Sequence, residues 1–175
     1  NPDVKEAAPN RRNRGTNEPL PEKVDVLIAG SGPAGLCLAA QLARVPQIRT
    51  MLVEPKLGPM EKGQADGISV RTMEMFQAFG FAEKVMRESV WINETTFWAP
   101  GADGSPRRVA RVQDVPDGTS EMPHVLINQA RVHDMFLDIM RHSPTRLEPD
   151  YGLKVVDLSV DPGAAEYPVN VTLEH

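Results

Sequence analysis

The sequence predicts an α/β fold built on a short parallel sheet, and three observations predict it. Residues 24–29 (VDVLIA) are a β-branched run that stops at Gly30, residues 35–44 (GLCLAAQLAR) are rich in Ala and Leu, and residues 48–54 (IRTMLVE) are a second apolar run that stops at Pro55. Strand, helix and strand in such close succession make a β–α–β unit, for which a right-handed crossover is expected. The length of 175 residues allows one domain with a real core.

The elements follow in order. Residues 1–23 contain Pro2, Pro9, Pro19 and Pro21 and almost no large apolar side chain, so they are expected to form a solvated, extended arm, with ordered structure from Val24. The run 24–29 suits a strand buried on both faces. The helix at 35–44 closes at Val45 because the ring of Pro46 blocks continuation. Gly58, Pro59, Gly63 and Gly67 mark a loop from 55 to 67. A helix then starts near Ser69, turns Met73, Phe76 and Phe79 inward and ends at Gly80 in a left-handed cap, followed by a helical piece over 81–88. Residues 91–99 and 107–112 read as strands around the turn 100–104 (PGADG), an antiparallel excursion near 90–113 within the α/β pattern.

Residues 124–127 (HVLI) form a further short strand, and Asn128 stands where a helix N-cap is expected. Val132, Met135, Phe136, Ile139 and Met140 recur at helical spacing until Pro144. Two last strands, 153–160 and 169–174, flank a turn containing Asp161, Pro162 and Gly163. The final strand is expected to leave an edge that a complete protein would cover, and the terminal residues 173–175 (LEH) are either native or the remnant of a purification tag.

Composition narrows the function classes. Nineteen basic against 24 acidic side chains, a net charge of −5, argue against unaided nucleic-acid binding. The one basic cluster, Arg11, Arg12 and Arg14, is balanced by Asp3, Glu6, Glu18 and Glu22. No apolar run approaches the roughly 20 residues that a spanning helix needs. With Cys37 as the single cysteine and no apolar signal segment, a cytoplasmic setting is expected.

The chemistry starts at residues 30–35 (GSGPAG), a G-x-G-x-x-G pattern between strand and helix. Gly30 permits the tight turn, Gly32 lets the backbone approach a pyrophosphate, and Gly35 allows close helix–strand packing. The unpaired N–H groups of the helix start then meet the anion. Glu54 ends the second strand 24 residues after Gly30, near the spacing expected for a carboxylate on an adenosine ribose. Glycines alone would fit an ordinary tight turn and Glu54 alone a solvated strand end; in register they specify dinucleotide binding. NAD and FAD share this pattern. The long loop after Glu54 and the antiparallel excursion favour FAD over a simple NAD fold.

Residues 24–36 (VDVLIAGSGPAGL), the run Gly63, Gln64, Ala65, Asp66, Gly67 with Arg71, Thr72, Met73 and Glu74, and the run Asn128, Gln129, Ala130, Arg131 resemble the N-terminal part of the single-component flavin aromatic hydroxylases. The likeness is to their phenol 2-monooxygenase and 3-hydroxybenzoate 4-monooxygenase branch, and it extends from Val24 to the end of the chain. It implies a Rossmann-like FAD-binding domain, present in part over 24–175, with the antiparallel β insertion of the aromatic hydroxylases. It also implies a longer, oligomeric enzyme. FAD is its cofactor, NADPH its co-substrate, and O₂ and a phenolic ring its substrates; residues 24–175 alone are not expected to turn over.

By the resemblance, Gly30, Gly32, Pro33, Ala34 and Gly35 lie at the FAD pyrophosphate and Glu54 on the ribose. Pro55 and Lys56 lie beside the adenosine; Lys62, Gly63, Gln64, Ala65, Asp66 and Gly67 run along the flavin half. Gln129 then bonds the phosphate and ribityl region, whereas its own sequence context reads only as a polar first-turn residue. Asp66 is the candidate catalytic residue, because a carboxylate beside a phenol hydroxyl orients it and assists its deprotonation. Asp and Gly are also simple turn formers, so a plain turn at 66–67 is the competing reading.

Other candidates are weaker. His124, His133, His142 and Cys37 show no metal-ligand spacing, and no metal is expected. His133 is expected on a helix flanked by solvated Asp134 and Asp138, and Cys37 packs in the first helix. Trp91, Phe97 and Trp98 suit a pocket wall or, more simply, a core-facing strand. Two further functions compete with the hydroxylase: an NAD-dependent oxidoreductase, and a non-catalytic nucleotide-binding module.

Overall fold

The computed structural model describes residues 19–175. In chain order the elements are β1 (Val26–Ala29), α1 (Pro33–Leu42), β2 (Thr50–Glu54), β3 (Gly67–Ile68), α2 (Val70–Phe79) and α3 (Ala82–Glu88). There follow β4 (Val90–Trp91), β5 (Glu94–Pro100), β6 (Pro106–Gln113), β7 (Val125–Leu126) and α4 (Gln129–Arg141). The chain closes with β8 (Asp150–Tyr151), β9 (Lys154–Val160) and β10 (Val169–Glu174). Contacts divide them into two compact units, one taking in residues 19–61 with 133–175, the other residues 62–132.

In the first unit a parallel sheet has the order β1-β2-β8. β2 is its middle strand, and Met51, Leu52 and Val53 are buried to within a few per cent. β1, expected to be covered on both faces, is instead an edge of the sheet among the described residues, with only Ile28 buried. β8 is the strand that local pattern does not reveal. Two residues long and beginning on Asp150, it pairs Val53 with Asp150 and Glu54 with Tyr151. The ladder continues past it, where Leu153 N–H donates to the Glu54 carbonyl at 3.0 Å. Leu20, within the stretch expected to be a solvated arm, packs partly buried against Met51, Val53 and Leu153. The rest of that arm, up to residue 18, lies outside the described residues.

α1 begins at Pro33, two residues before the helix read from sequence, since proline at the first helical position has a fitting φ and lacks an N–H that would be orphaned anyway. Its Leu36, Ala39 and Ala40 are fully buried. At its far end Thr145 Oγ1 donates to the Ala43 carbonyl at 2.9 Å, satisfying one of the acceptors a helix end leaves open. β9 and β10 form the expected hairpin, and its turn is held by the Gly163 N–H donating to Asp161 Oδ1 at 2.9 Å.

In the second unit β7 is flanked by β3 and β4 in a small antiparallel sheet, and β5 pairs with β6 as a hairpin. The single strand expected at 91–99 is therefore two: Val90 and Trp91 pair with β7, whereas β5 pairs with β6. α2 buries Met73 and Phe76, and the Phe76 and Phe81 rings pack at a tilt with centroids 4.6 Å apart. Trp91, Phe97 and Trp98 are not core residues; they are 51 %, 51 % and 62 % exposed.

α2 stops at Gly80, whose φ of +86° lies in the left-handed region. Substituting Gly80→Ala is expected to cost about 1 kcal/mol through the Cβ clash of that conformation. Urea unfolding of the two forms measures it.

Candidate functional site

In the first unit the turn from β1 into α1 is built by two glycines in close approach. A Cβ on Gly35 would stand 2.0 Å from the Gly30 carbonyl oxygen and 3.3 Å from Ile28 Cγ2, so no other residue fits without moving the helix off the strand. Gly30 itself has φ +97°. Gly32 is the N-cap of α1, no side chain caps the helix, and a Cβ there would project into open space. The result is a cradle of bare backbone before the unpaired N–H groups of a helix start, the arrangement that accepts a pyrophosphate.

Glu54 closes this turn from the next strand. Its Oε2 accepts from the Ser31 N–H at 2.8 Å and from the Ser31 hydroxyl at 2.9 Å, and Oε1 accepts from the Lys56 N–H at 3.1 Å. Burial pushes the carboxyl up, but these donors and the Lys56 charge outweigh it and hold its pKa below the ordinary glutamate value. The group is an anchored carboxylate, not a solvated strand end.

Two other polar side chains of this unit were not found from sequence. His133, expected on a helix flanked by solvated Asp134 and Asp138, is itself 4 % exposed. Its Nε2 accepts from the Met60 N–H at 3.4 Å, while its buried Nδ1 has no hydrogen-bond partner. Tyr151, opposite Glu54 in the sheet, has a buried hydroxyl without a partner, and burial with the charges of Glu54, Glu148 and Asp134 pushes its pKa up to about 12 against the pull of Arg141. Periodicity shows which face of a helix is apolar, not which polar residue on it is covered from elsewhere.

In the second unit the loop over 62–67 lies against the first residue of α4. A Cβ on Gly63 would stand 2.4 Å from Gln129 Cβ, and the Gln64 N–H donates to Gln129 Oε1 at 2.9 Å. The Asp66 carbonyl accepts from the Ile127 N–H at 2.8 Å, and Gly67 pairs with Leu126. The backbone on both sides of Asp66 is thus held while its side chain is exposed. The run at 128–131 divides its work: Asn128 Oδ1 accepts from the Ala130 N–H at 2.8 Å, Gln129 holds the loop, and Arg131 forms a two-pronged pair with Glu88. Arg71, in the other matching run, pairs with Glu74 at 2.8 Å, and Glu74 also accepts from the Ser120 hydroxyl.

Sequence reading also missed a carboxylate–histidine pair. His124 Nδ1 lies 2.6 Å from Asp114 Oδ2, and Asp114 Oδ1 accepts from the Thr95 hydroxyl at 2.7 Å. The Thr95 hydroxyl, and next the His124 ring, hold the Asp114 pKa below its usual value. The other ring nitrogen faces Gly67, whose Cβ would be 3.7 Å from His124 Nε2. Among the described residues no group of three or more His, Cys, Asp or Glu could hold a metal ion, and no helix is long and apolar enough to cross a membrane.

A glycine turn feeding a helix start, with an acid at the end of the adjoining parallel strand, defines a dinucleotide-binding α/β protein. Residues 23–156 match the FAD binding domain family. The chain belongs to that family. It is 61 % identical over 160 residues to a 3-hydroxybenzoate 4-monooxygenase of Comamonas testosteroni, covering 90 % of this chain and 25 % of that protein. It is 28 % identical to a phenol 2-monooxygenase of Aspergillus fumigatus over 88 % of this chain and 25 % of that protein. Among solved structures, the flavin-dependent monooxygenase PieE, in complex with FAD and substrate, superposes with a TM-score of 0.69 at 24 % identity, over 88 % of this chain and 27 % of that one. The p-nitrophenol 4-monooxygenase PnpA of Pseudomonas putida does so with a TM-score of 0.66 at 19 % identity, over 86 % and 38 %. The chain spans about a quarter of the length of these two curated relatives.

Gly35→Ala is expected to weaken FAD binding at least about tenfold and to cost about 1–3 kcal/mol of stability, because the new methyl meets backbone that cannot yield. Flavin fluorescence titration and urea unfolding measure the two effects. Tyr151→Phe is expected to leave stability equal or raise it, since it deletes a buried hydroxyl that makes no hydrogen bond; a clear fall in melting temperature would contradict this.

Proposed function

We propose that this chain is the FAD-binding part of a flavoprotein monooxygenase that hydroxylates a phenolic ring, phenol or a hydroxybenzoate, using NADPH and O₂. The observation that carries the reading is the 61 % identity to a 3-hydroxybenzoate 4-monooxygenase over nine tenths of the chain. The glycine cradle and Glu54 fit the cofactor end of that chemistry. Bound FAD would supply the redox step, taking a hydride from NADPH and activating O₂, so that one oxygen atom enters the ring and the other leaves as water.

The residues would divide the work as follows. Gly30, Gly32, Pro33, Ala34 and Gly35 would take the pyrophosphate, with the α1 start supplying N–H donors. Glu54 keeps lone pairs beyond its three protein donors and would accept from the ribose, and Pro55 and Lys56 would flank the adenosine. In the second unit, Lys62, Gly63, Gln64, Ala65 and Gly67 would present backbone to the flavin half. Gln129 has given its oxygen to Gln64, leaving its amide nitrogen as the donor for the phosphate and ribityl region. Asp66 would accept the substrate hydroxyl's hydrogen bond and draw its proton in the hydroxylation step, making the ring more electron-rich. The pinned backbone around Asp66 supports that role, because a carboxylate must be placed to within a fraction of an ångström to work on one proton.

A cytoplasmic setting and a homo-oligomeric, longer protein complete the proposal. The longer, oligomeric protein rests on the resemblance, and the cytoplasmic setting on the single cysteine, Cys37.

The test is Asp66→Asn in the full-length enzyme. It is expected to bind FAD as the parent does, yet to form hydroxylated product about a hundredfold more slowly while NADPH is still consumed. Unaltered turnover removes Asp66 from the chemistry; a purified protein without flavin absorption, or without phenol-stimulated NADPH oxidation, removes the hydroxylase reading.

A further inference from the structure

His133, in the first unit, is a buried titratable ring that the proposed chemistry does not use. His133 stands on α4 with 4 % of its surface exposed, and its Nε2 accepts from the backbone N–H of Met60. An acceptor nitrogen carries no proton, so the ring in this arrangement is neutral with its hydrogen on Nδ1. That Nδ1 is buried and without a partner. The Ser31 backbone, in the middle of the glycine turn, also acts on the ring. His133 therefore contacts the stretch that leaves Glu54, one of the segments that would grip the nucleotide.

We propose that His133 is a positioning residue for FAD that holds the Met60 segment, downstream of Glu54, in binding geometry only while its ring is neutral. The proposal rests on the FAD-binding assignment above.

The charges around the ring decide the direction. Burial disfavours the imidazolium most; Asp134 on the same helix and Glu54 at the end of β2 favour it; Lys56 beside Glu54 opposes it; and the Ser31 backbone favours it. Burial wins, and the pKa lies below the ordinary histidine value. The native state thus binds fewer protons than the unfolded state between the lowered value and about 6.5, so the grip is complete above about pH 6.5 and is lost as pH falls through the lowered value. Protonation removes the acceptor for the Met60 N–H and puts a charge on a buried ring, which frees the segment after Glu54.

The experiment measures FAD affinity of the holoprotein against pH, by flavin fluorescence, for the parent, His133→Gln and His133→Leu. Glutamine is neutral throughout and offers both an acceptor for Met60 and an N–H donor. The parent is expected to lose affinity progressively as pH falls below about 6.5, approaching a tenfold loss for each pH unit below the lowered value, while His133→Gln stays flat over the same range. His133→Leu, which cannot accept from Met60, is expected to bind about tenfold more weakly already at about pH 7.5. An acid limb retained in His133→Gln, or parental affinity in His133→Leu, overturns the proposal. A parent that binds no FAD at about pH 7.5 overturns the functional reading instead. The histidine is then judged separately: a titration of its ring by NMR in the ligand-free protein with a midpoint at or above about 6.5 overturns its neutral, buried role.

Discussion

The approach of Gly35 to Gly30 is the constraint on which the cofactor-binding unit depends. Only a residue without Cβ can stand 2.0 Å, in Cβ terms, from a carbonyl oxygen of the preceding strand end, and that approach seats α1 directly on β1. Once α1 is seated, its buried Leu36, Ala39 and Ala40 have a sheet to cover, and a Cβ on Gly32 at its start would meet only open space. The same turn brings Ser31 within reach of Glu54, whose carboxylate takes both Ser31 donors. Hydrogen bonds to a charged acceptor are each worth about 1.5–3 kcal/mol net, so the turn is held by its neighbour strand as well as by its own glycines.

The second unit solves a comparable problem with different parts. The loop over 62–67 has few apolar side chains, and its shape is instead fixed by Gly63 lying on Gln129, by the Gln64 and Asp66 backbone bonds and by pairing at Gly67. Backbone anchoring leaves side chains free for chemistry, which is why Asp66 is exposed while its peptide neighbours are held. Asp114 and Thr95 orient His124 behind the same stretch, with one ring nitrogen committed and the other facing Gly67.

Much of this was legible in the chain. The β–α–β unit, the glycine turn, Glu54 at its strand end, the Ser69 to Gly80 helix and the Asn128 cap were all read correctly in kind, because each depends on residues within a few positions of one another. The strand at 91–99 was misread because Trp91 and Phe97 look alike locally, yet one pairs with β7 and the other with β6. The exposure of Trp98 and the half-covered state of β1 were equally hidden, since what lies over a strand is set by distant segments.

The sequence by itself determined which turns are tight, where helices start and stop, and that a nucleotide-binding pattern stands between a strand and a helix; these are limits on φ, on capping and on Cβ volume, all properties of neighbours. Tertiary structure alone decided that Asp150 and Tyr151 are a strand, that His133 is buried against Met60, and that Asp114 meets His124. Those facts follow from which backbone and side-chain groups, ten or more residues apart in the chain, meet in the fold, and no local pattern carries that information.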